Sequence, residues 1–85
     1  MEEKEVGKVT GFFAKISVAA IEITTGELKV GDTIHIKGHS TDLHQSLDSM
    51  QIQKQPVSMA KVGDTIGIQV KDRVHIKDTV YKVGD

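Results

Sequence analysis

Histidines and their acidic neighbours are the residues whose chemistry could reach furthest in this sequence. His35, His39 and His44 lie close together with Asp42 among them. Imidazole suits zinc, copper or nickel, and three ring nitrogens with one carboxylate oxygen would fill a tetrahedral shell. The pattern around His35 points elsewhere: it alternates with Ile34 and Ile36, which turns it away from the core of a strand. Solvated surface histidines are therefore the expectation, and no metal is assigned. Nucleophilic catalysis needs a hydroxyl oriented by a base. The pairs Ser40/His39 and Ser46/His44 are only sequence neighbours, and adjacency along a strand sends side chains to opposite faces. Asp42 and Asp48 have no pocket-forming context, while Asp32 and Asp64 are placed to cap turns. With no cysteine in the chain, thiolate chemistry and disulfides are excluded. The chain is expected to be neither an enzyme nor a cofactor carrier.

An anionic partner finds its best support in Lys54, Lys71, Arg73 and Lys77, which lie on or near strands and loops. Eleven basic residues stand against twelve acidic ones, a net charge of −1, so global charge offers no argument for nucleic acid. Phe12, Phe13 and Tyr81 are the aromatic residues, too few for bases to stack on, and the phenylalanines are expected to serve the core or the first bend. A charged, exposed strand face is the simpler account of the cations.

The elements that must position these residues are strands. Nine isoleucines and ten valines stand against three leucines, and β-branched side chains favour pleated sheet over helix. At 85 residues and 38% hydrophobic content the chain suits one domain. It has no apolar run long enough for a bilayer and no secretory leader pattern, so a soluble, cytoplasmic protein is expected. Met1–Glu5 is polar and expected to form a flexible N-terminal segment, with the domain running from Val6 to Asp85.

Along that domain, Ile16, Val18 and Ala20 alternate and then give way to Ile21 and Ile23, one position out of phase. This predicts a β-bulge or corner. An internal repeat follows: Lys29-Val30-Gly31-Asp32-Thr33-Ile34-His35-Ile36 recurs as Lys61-Val62-Gly63-Asp64-Thr65-Ile66-Gly67-Ile68, with seven of eight positions identical. A reduced copy stands at Ile76-Lys77-Asp78-Thr79-Val80, and Lys82-Val83-Gly84-Asp85 closes the chain. Each unit reads as a turn, with Gly at positive φ and Asp capping, followed by a strand whose isoleucines share the inner face. Leu43 to Lys54 reads as a long strand with a bend near Asp48-Ser49, a helix being the competing possibility, and Pro56 is expected to break the ladder. Strands over Thr65–Lys71 and Thr79–Val83, with Val74-His75-Ile76 between them, complete six or seven. The fold class is all-β, a small closed Greek-key-like β-barrel, since closure removes unpaired edges.

From Val6 to Asp85 the chain resembles the second domain of translational GTPases of the elongation factor Tu type. The resemblance is carried by Val18-Ala19, Ile23, Gly26, Leu28-Lys29-Val30-Gly31-Asp32-Thr33-Ile34, Ser49-Met50-Gln51-Ile52 and Ala60-Lys61-Val62-Gly63-Asp64-Thr65-Ile66-Gly67-Ile68. It implies a translation-type β-barrel. Ile16 and Ile21 stand where that family commonly has glycines. Of the positions that form the family's aminoacyl pocket, matched here by Gln51, Lys54 and Thr65, only the basic one is kept. Barrel architecture is thus what carries over, and docking to a protein or RNA partner of the translation apparatus is the function it implies. The partner surface would comprise Gln51, Gln53, Lys54, Thr65, Gly67, Lys71 and Arg73. No phosphate loop ending in Gly-Lys-Ser or Gly-Lys-Thr occurs, so GTP binding by this chain is not expected. The same barrel type is also appended to collagenase-like bacterial peptidases, which leaves a generic interaction or accessory domain unrelated to translation as the alternative. A metal-responsive binder is a third reading.

Overall fold

Two turns of identical construction organise the chain. In the first, Asp32 N–H donates to Lys29 O at 3.0 Å while Lys29 N–H donates back to Asp32 Oδ2 at 2.9 Å. In the second, the same pair of bonds joins Asp64 and Lys61, both at 3.0 Å. Gly31 and Gly63 stand at φ of 102° and 96°, where a β carbon would be strained. The reduced copy makes the turn a third time. His75 N–H donates to Asp78 Oδ2, Asp78 N–H donates to His75 O, and Lys77 takes the left-handed position at φ 78°.

The computed structural model describes residues 2–84, and its elements are strands: β1 (Glu2–Phe13), β2 (Val18–Ile23), β3 (Glu27–Lys29), β4 (Thr33–Lys37), β5 (Asp42–Ser46), β6 (Met50–Ile52), β7 (Gln55–Val57), β8 (Met59–Lys61), β9 (Thr65–Gln69) and β10 (Thr79–Gly84). No helix long and apolar enough to cross a membrane occurs among the described residues. Eight strands form one antiparallel sheet in the order β5-β4-β10-β1-β2-β9-β6-β7, and β3 pairs with β8 as a separate ribbon. Each repeat thus supplies one ribbon strand, a turn and one sheet strand.

The barrel expected from the sequence is not closed. β5 and β7 end the sheet without pairing to each other. From β5, buried Gln45 spans the opening: it donates from Nε2 to Gln69 O at 2.9 Å and accepts Lys71 N–H at 3.0 Å. An amide bridge of this kind satisfies two backbone groups, whereas a closed ladder would satisfy a whole edge. Leu28 and Ala60 of the ribbon join Val9, Ile21, Ile23, Ile34, Ile36, Ile66, Ile68 and Val80 in the core. Burying such an isoleucine contributes about 1.5–3 kcal/mol relative to exposure.

Several local expectations change. Glu2–Glu5, set apart above as flexible, lie within β1 and pair with β10, from Glu2↔Gly84 to Glu5↔Tyr81; Met1 and Asp85 lie outside the described residues. The register slips are in β1, between Glu5 and Gly7 and between Val9 and Gly11. The first brings Val6 and Val9 to the same buried side. β2 has no slip: Ala19, Ile21 and Ile23 are buried in strict alternation with Val18, Ala20 and Glu22. The run from Leu43 divides into β5 and β6 around residues 47–49, as the expected bend requires, with no helix. Pro56 is not a break but part of β7, at the sheet edge, where a residue without an N–H is tolerated.

Candidate functional site

The outer face of β2 and its neighbours forms an apolar groove. β2 pairs with β9 through Ala20↔Gly67, and β9 pairs with β6 through Gln51↔Gly67, so Gly67 is the floor between the two walls. Phe13, Ile16, Val18 and Ala20 line one side; Gln51, Gln53, Lys54 and Thr65 line the other; the groove holds about 390 Å³. Phe13 is 57% exposed and Ile16 61%, so two large apolar side chains stand in solvent. Exposed apolar side chains gathered around a groove make this face the candidate interaction surface of the molecule.

The backbone around the groove is also unusual. The β6–β7 hairpin turns through Gln53 and Lys54 at φ of 52° and 66°, and Ser17, between Ile16 and Val18, stands at φ 55°. Turns with both central residues in this region strongly favour Asn-Gly. Here they carry two long polar side chains, at a cost of about 1–2 kcal/mol per non-glycine residue. Strain of this kind concentrates at ligand clamps and functional surfaces.

Five of the sequence-derived partner residues, Gln51, Gln53, Lys54, Thr65 and Gly67, are brought together here. Lys71 is not: it lines a separate polar depression with Gln45, Asp48 and Ser49. Arg73 is exposed on the loop after β9 and lines neither. Phe13, Ile16, Val18 and Ala20 were assigned to a bend or a phase slip, although the signal for the groove was there: apolar residues on both faces of one strand.

A second cluster lies on the outer face of the other half of the sheet. His35 on β4 faces away from Ile34 and Ile36 as the alternation requires, yet it is not solvated: it is 6% exposed. Glu3 reaches across β10 to place its carboxylate oxygens 2.8 and 3.0 Å from His35 Nδ1. Asp42 Oδ1 lies 2.6 Å from Nε2. The opposed residue on β5, His44, stacks on the ring with centroids 3.8 Å apart and planes 14° apart, and its Nε2 lies 3.5 Å from Glu3 Oε2. With a carboxylate at each nitrogen, the ring donates twice, as an imidazolium. Burial opposes that charge, but the hydrogen bonds with Glu3 and Asp42 outweigh it and raise the His35 pKa above its ordinary 6.5. The same hydrogen bonds hold the Glu3 and Asp42 carboxyls below their ordinary values.

His39 takes no part in this cluster; it lies beside Gly38 and Ser40 near His75 and Asp78. Glu3 takes the place the sequence had offered to His39, and nothing in the polar N-terminal segment singled it out. The hydrogen-bond partners of His35 and His75 are Glu3, Asp42 and Thr41 rather than serines.

No family model matches the chain. Over 78 residues, 91% of its length, it is 41% identical to an uncharacterized protease of Methanocaldococcus jannaschii and 37% identical to a collagenase of Porphyromonas gingivalis. The chain spans only 19% and 22% of those relatives. In structure it superposes with a TM-score of 0.87 on the C-terminal domain of a Geobacillus thermoleovorans protein described as a U32 peptidase, at 14% identity and covering 95% of this chain and 93% of that one. These matches overturn the translation-factor resemblance and, with it, the RNA-binding role. The groove agrees physically, since one lysine on an apolar wall cannot neutralise a run of phosphates. In place of a translation barrel stands the fold of a U32 peptidase C-terminal domain, shared with sequence relatives that are proteases and collagenases.

Proposed function

We propose that this chain is a non-catalytic accessory domain of collagenase-like peptidases, docking through the Phe13–Ile16–Gly67 groove onto the peptidase portion of such a protein. The observation that carries the proposal is the extent of the match: nearly all of this chain corresponds to about a fifth of each relative. The exposed Phe13 and Ile16 and the strained rim of Ser17, Gln53 and Lys54 support the groove as the contact. Exposed apolar patches are a common form of contact surface between proteins. Among the described residues no serine is hydrogen-bonded to a histidine, which supports assigning cleavage to the remainder of the peptidase.

Calorimetric titration of this chain with the Methanocaldococcus protease lacking its matching segment tests the reading. Saturable binding that Phe13→Asp and Ile16→Asp each weaken at least about tenfold is expected, as for the central residues of an interface, with His39→Ala unchanged. Absent binding, binding indifferent to Phe13 and Ile16, or gelatin hydrolysis by this chain alone would each sink it.

A further inference from the structure

We infer that the groove seats an amphipathic α-helix with one acidic flank, laid across the strands over a floor of small residues. This rests on the docking role proposed above and names the kind of element that docks. The registers carry the argument. Across the outer face, one row of the sheet is Gly11↔Ala20↔Gly67↔Gln51, drawn from β1, β2, β9 and β6. Three of its four positions carry a methyl group or less. A β carbon at Gly11 would meet only Ala20 Cβ, at 3.7 Å, and one at Gly67 only Val18 Cγ1, at 3.6 Å, so the space above the row is open. On one side stands the row Phe13↔Val18↔Gln69, with Ile16 beside it. On the other stands Lys8↔Glu22↔Thr65, continued by Gln53 and Lys54. The small residues thus form a trough between an apolar wall and a charged one. Strand spacing gives the trough a length of about 14 Å over four strands, and each wall stands about 7 Å from the floor row. A space one side chain wide and that long takes the ridge of a helix, whose positions i to i+7 extend over about 10.5 Å.

Backbone accounting favours a helix over an extended segment. β1 and β2 are each paired on both sides, and β9 lies between β2 and β6, so a chain that crosses them finds their peptide groups engaged. A helix satisfies its own N–H and C=O groups, whereas an extended segment in the trough would bury its groups unpaired. The two walls then set the faces of the helix. Apolar residues at i, i+3 or i+4, and i+7 enter the trough and meet Phe13, Ile16 and Val18, the pattern of helix-in-groove recognition. On the other wall Lys8 and Lys54 stand to either side of Glu22, an excess of one positive charge. Charge complementarity makes the facing flank of the helix acidic. The hairpin turn that holds Lys54 at φ 66° keeps that charge at the end of the trough.

Calorimetric titration with the Methanocaldococcus protease lacking its matching segment tests the inference through two new variants. Ala20→Leu fills the trough and is expected to weaken binding at least about tenfold. Lys54→Glu reverses the charge of the polar wall and is expected to weaken it at least about threefold, and to reduce the loss of affinity that added sodium chloride causes in the native chain. Ala20 alternates with the buried Ala19 and Ile21, and Lys54 is exposed, so both variants are expected to fold, and an amide NMR spectrum of each verifies this. A benzophenone side chain at Thr65 then crosslinks the bound protease, and mass spectrometry identifies the captured segment. Apolar residues at helical spacing with Asp or Glu on one flank are expected, and the segment made as a peptide gains helical circular dichroism on binding. A captured segment that binds without forming a helix overturns the inference and leaves the docking role standing. Loss of affinity in Phe13→Asp with native affinity in both Ala20→Leu and Lys54→Glu does the same. Absence of any binding by the native chain overturns the docking role and this inference together.

Discussion

The two copies of the repeat build the same turn and bury the same pair of isoleucines, yet they part at one position. The first has His35 where the second has Gly67. Both positions are on the outer face of their strands, and each is the centre of one surface site. His35 gathers Glu3, Asp42 and His44 over itself. Gly67, with nothing to offer, leaves an open floor beneath the apolar residues of β2. The inner face, bound by close packing, has stayed the same in both copies, while the outer face has been free to diverge into a polar cluster and an apolar groove.

The largest test of this comparison is at the turns. Nothing lies within 4 Å of where a β carbon would stand at Gly31 or Gly63, so the cost of a side chain comes from the positive φ alone. Gly31→Val and Gly63→Val are each expected to lose about 1–2 kcal/mol, measured by urea denaturation. A valine accepted without loss at one turn would break the equivalence of the copies.

A smaller and pH-dependent effect is expected at His35. Its pKa is raised above 6.5, so its contribution is fully present below that value and is lost as pH rises through the folded pKa. The Glu3 and Asp42 values are lowered from 4.5 and 3.8, so their contribution is present above those values and is lost as pH falls through the folded ones. His35→Gln should therefore cost most between about pH 4.5 and 6.5, on the order of 1 kcal/mol, because its partners are solvent-screened. Thermal midpoints of both proteins from pH 3 to 9 measure the gap on this range. A gap that does not change with pH would remove the ionic part of the comparison.

The smallest effect has the opposite sign. At Gly67 a β carbon would meet only Val18 Cγ1, at 3.6 Å, an ordinary contact, and glycine inside a strand is a weakness. Gly67→Ala is expected to stabilise the fold by about 0.5–1 kcal/mol while raising the floor of the groove and weakening docking. Destabilisation would show that the floor has no room.

What the sequence revealed was mostly what the inner face demands. The period of two placed Ile34, Ile36, Ile66 and Ile68 in the core, and the Lys-Val-Gly-Asp turns were legible because glycine and aspartate each have a local task there. The outer face was harder to read. Ile16, Val18 and Ala20 followed by Ile21 and Ile23 looked like one strand slipping phase, because an apolar groove wall and an apolar core wall alternate along the same strand. The actual slips, in β1, fall at Val6, between Glu5 and Gly7, and at Thr10, between Val9 and Gly11, where the spacing of Val6 and Val9 fits neither strict alternation nor a visible break. His35 was correctly turned outward but not seen to be buried, since its cover comes from Glu3, 32 positions away. Barrel closure was inferred from the general cost of free edges, and here the Gln45 amide meets part of that cost without a closing ladder. The translation-factor resemblance drew on this same turn-and-strand unit, whose requirements are those of a local backbone shape and do not single out one family.

β10, the last of the described strands, occupies the interior of the sheet, between β4 on one side and β1 on the other. A nascent polypeptide lacking residues 79–84 has no ladder joining its first strand to its fourth. The β4–β5 pair therefore joins the rest of the sheet only once β10 is in place, and the edges of β4 and β1 that face it stay unpaired until then. Pairing of such distant segments also places refolding towards the slow end for a chain of this size, on the order of milliseconds to seconds.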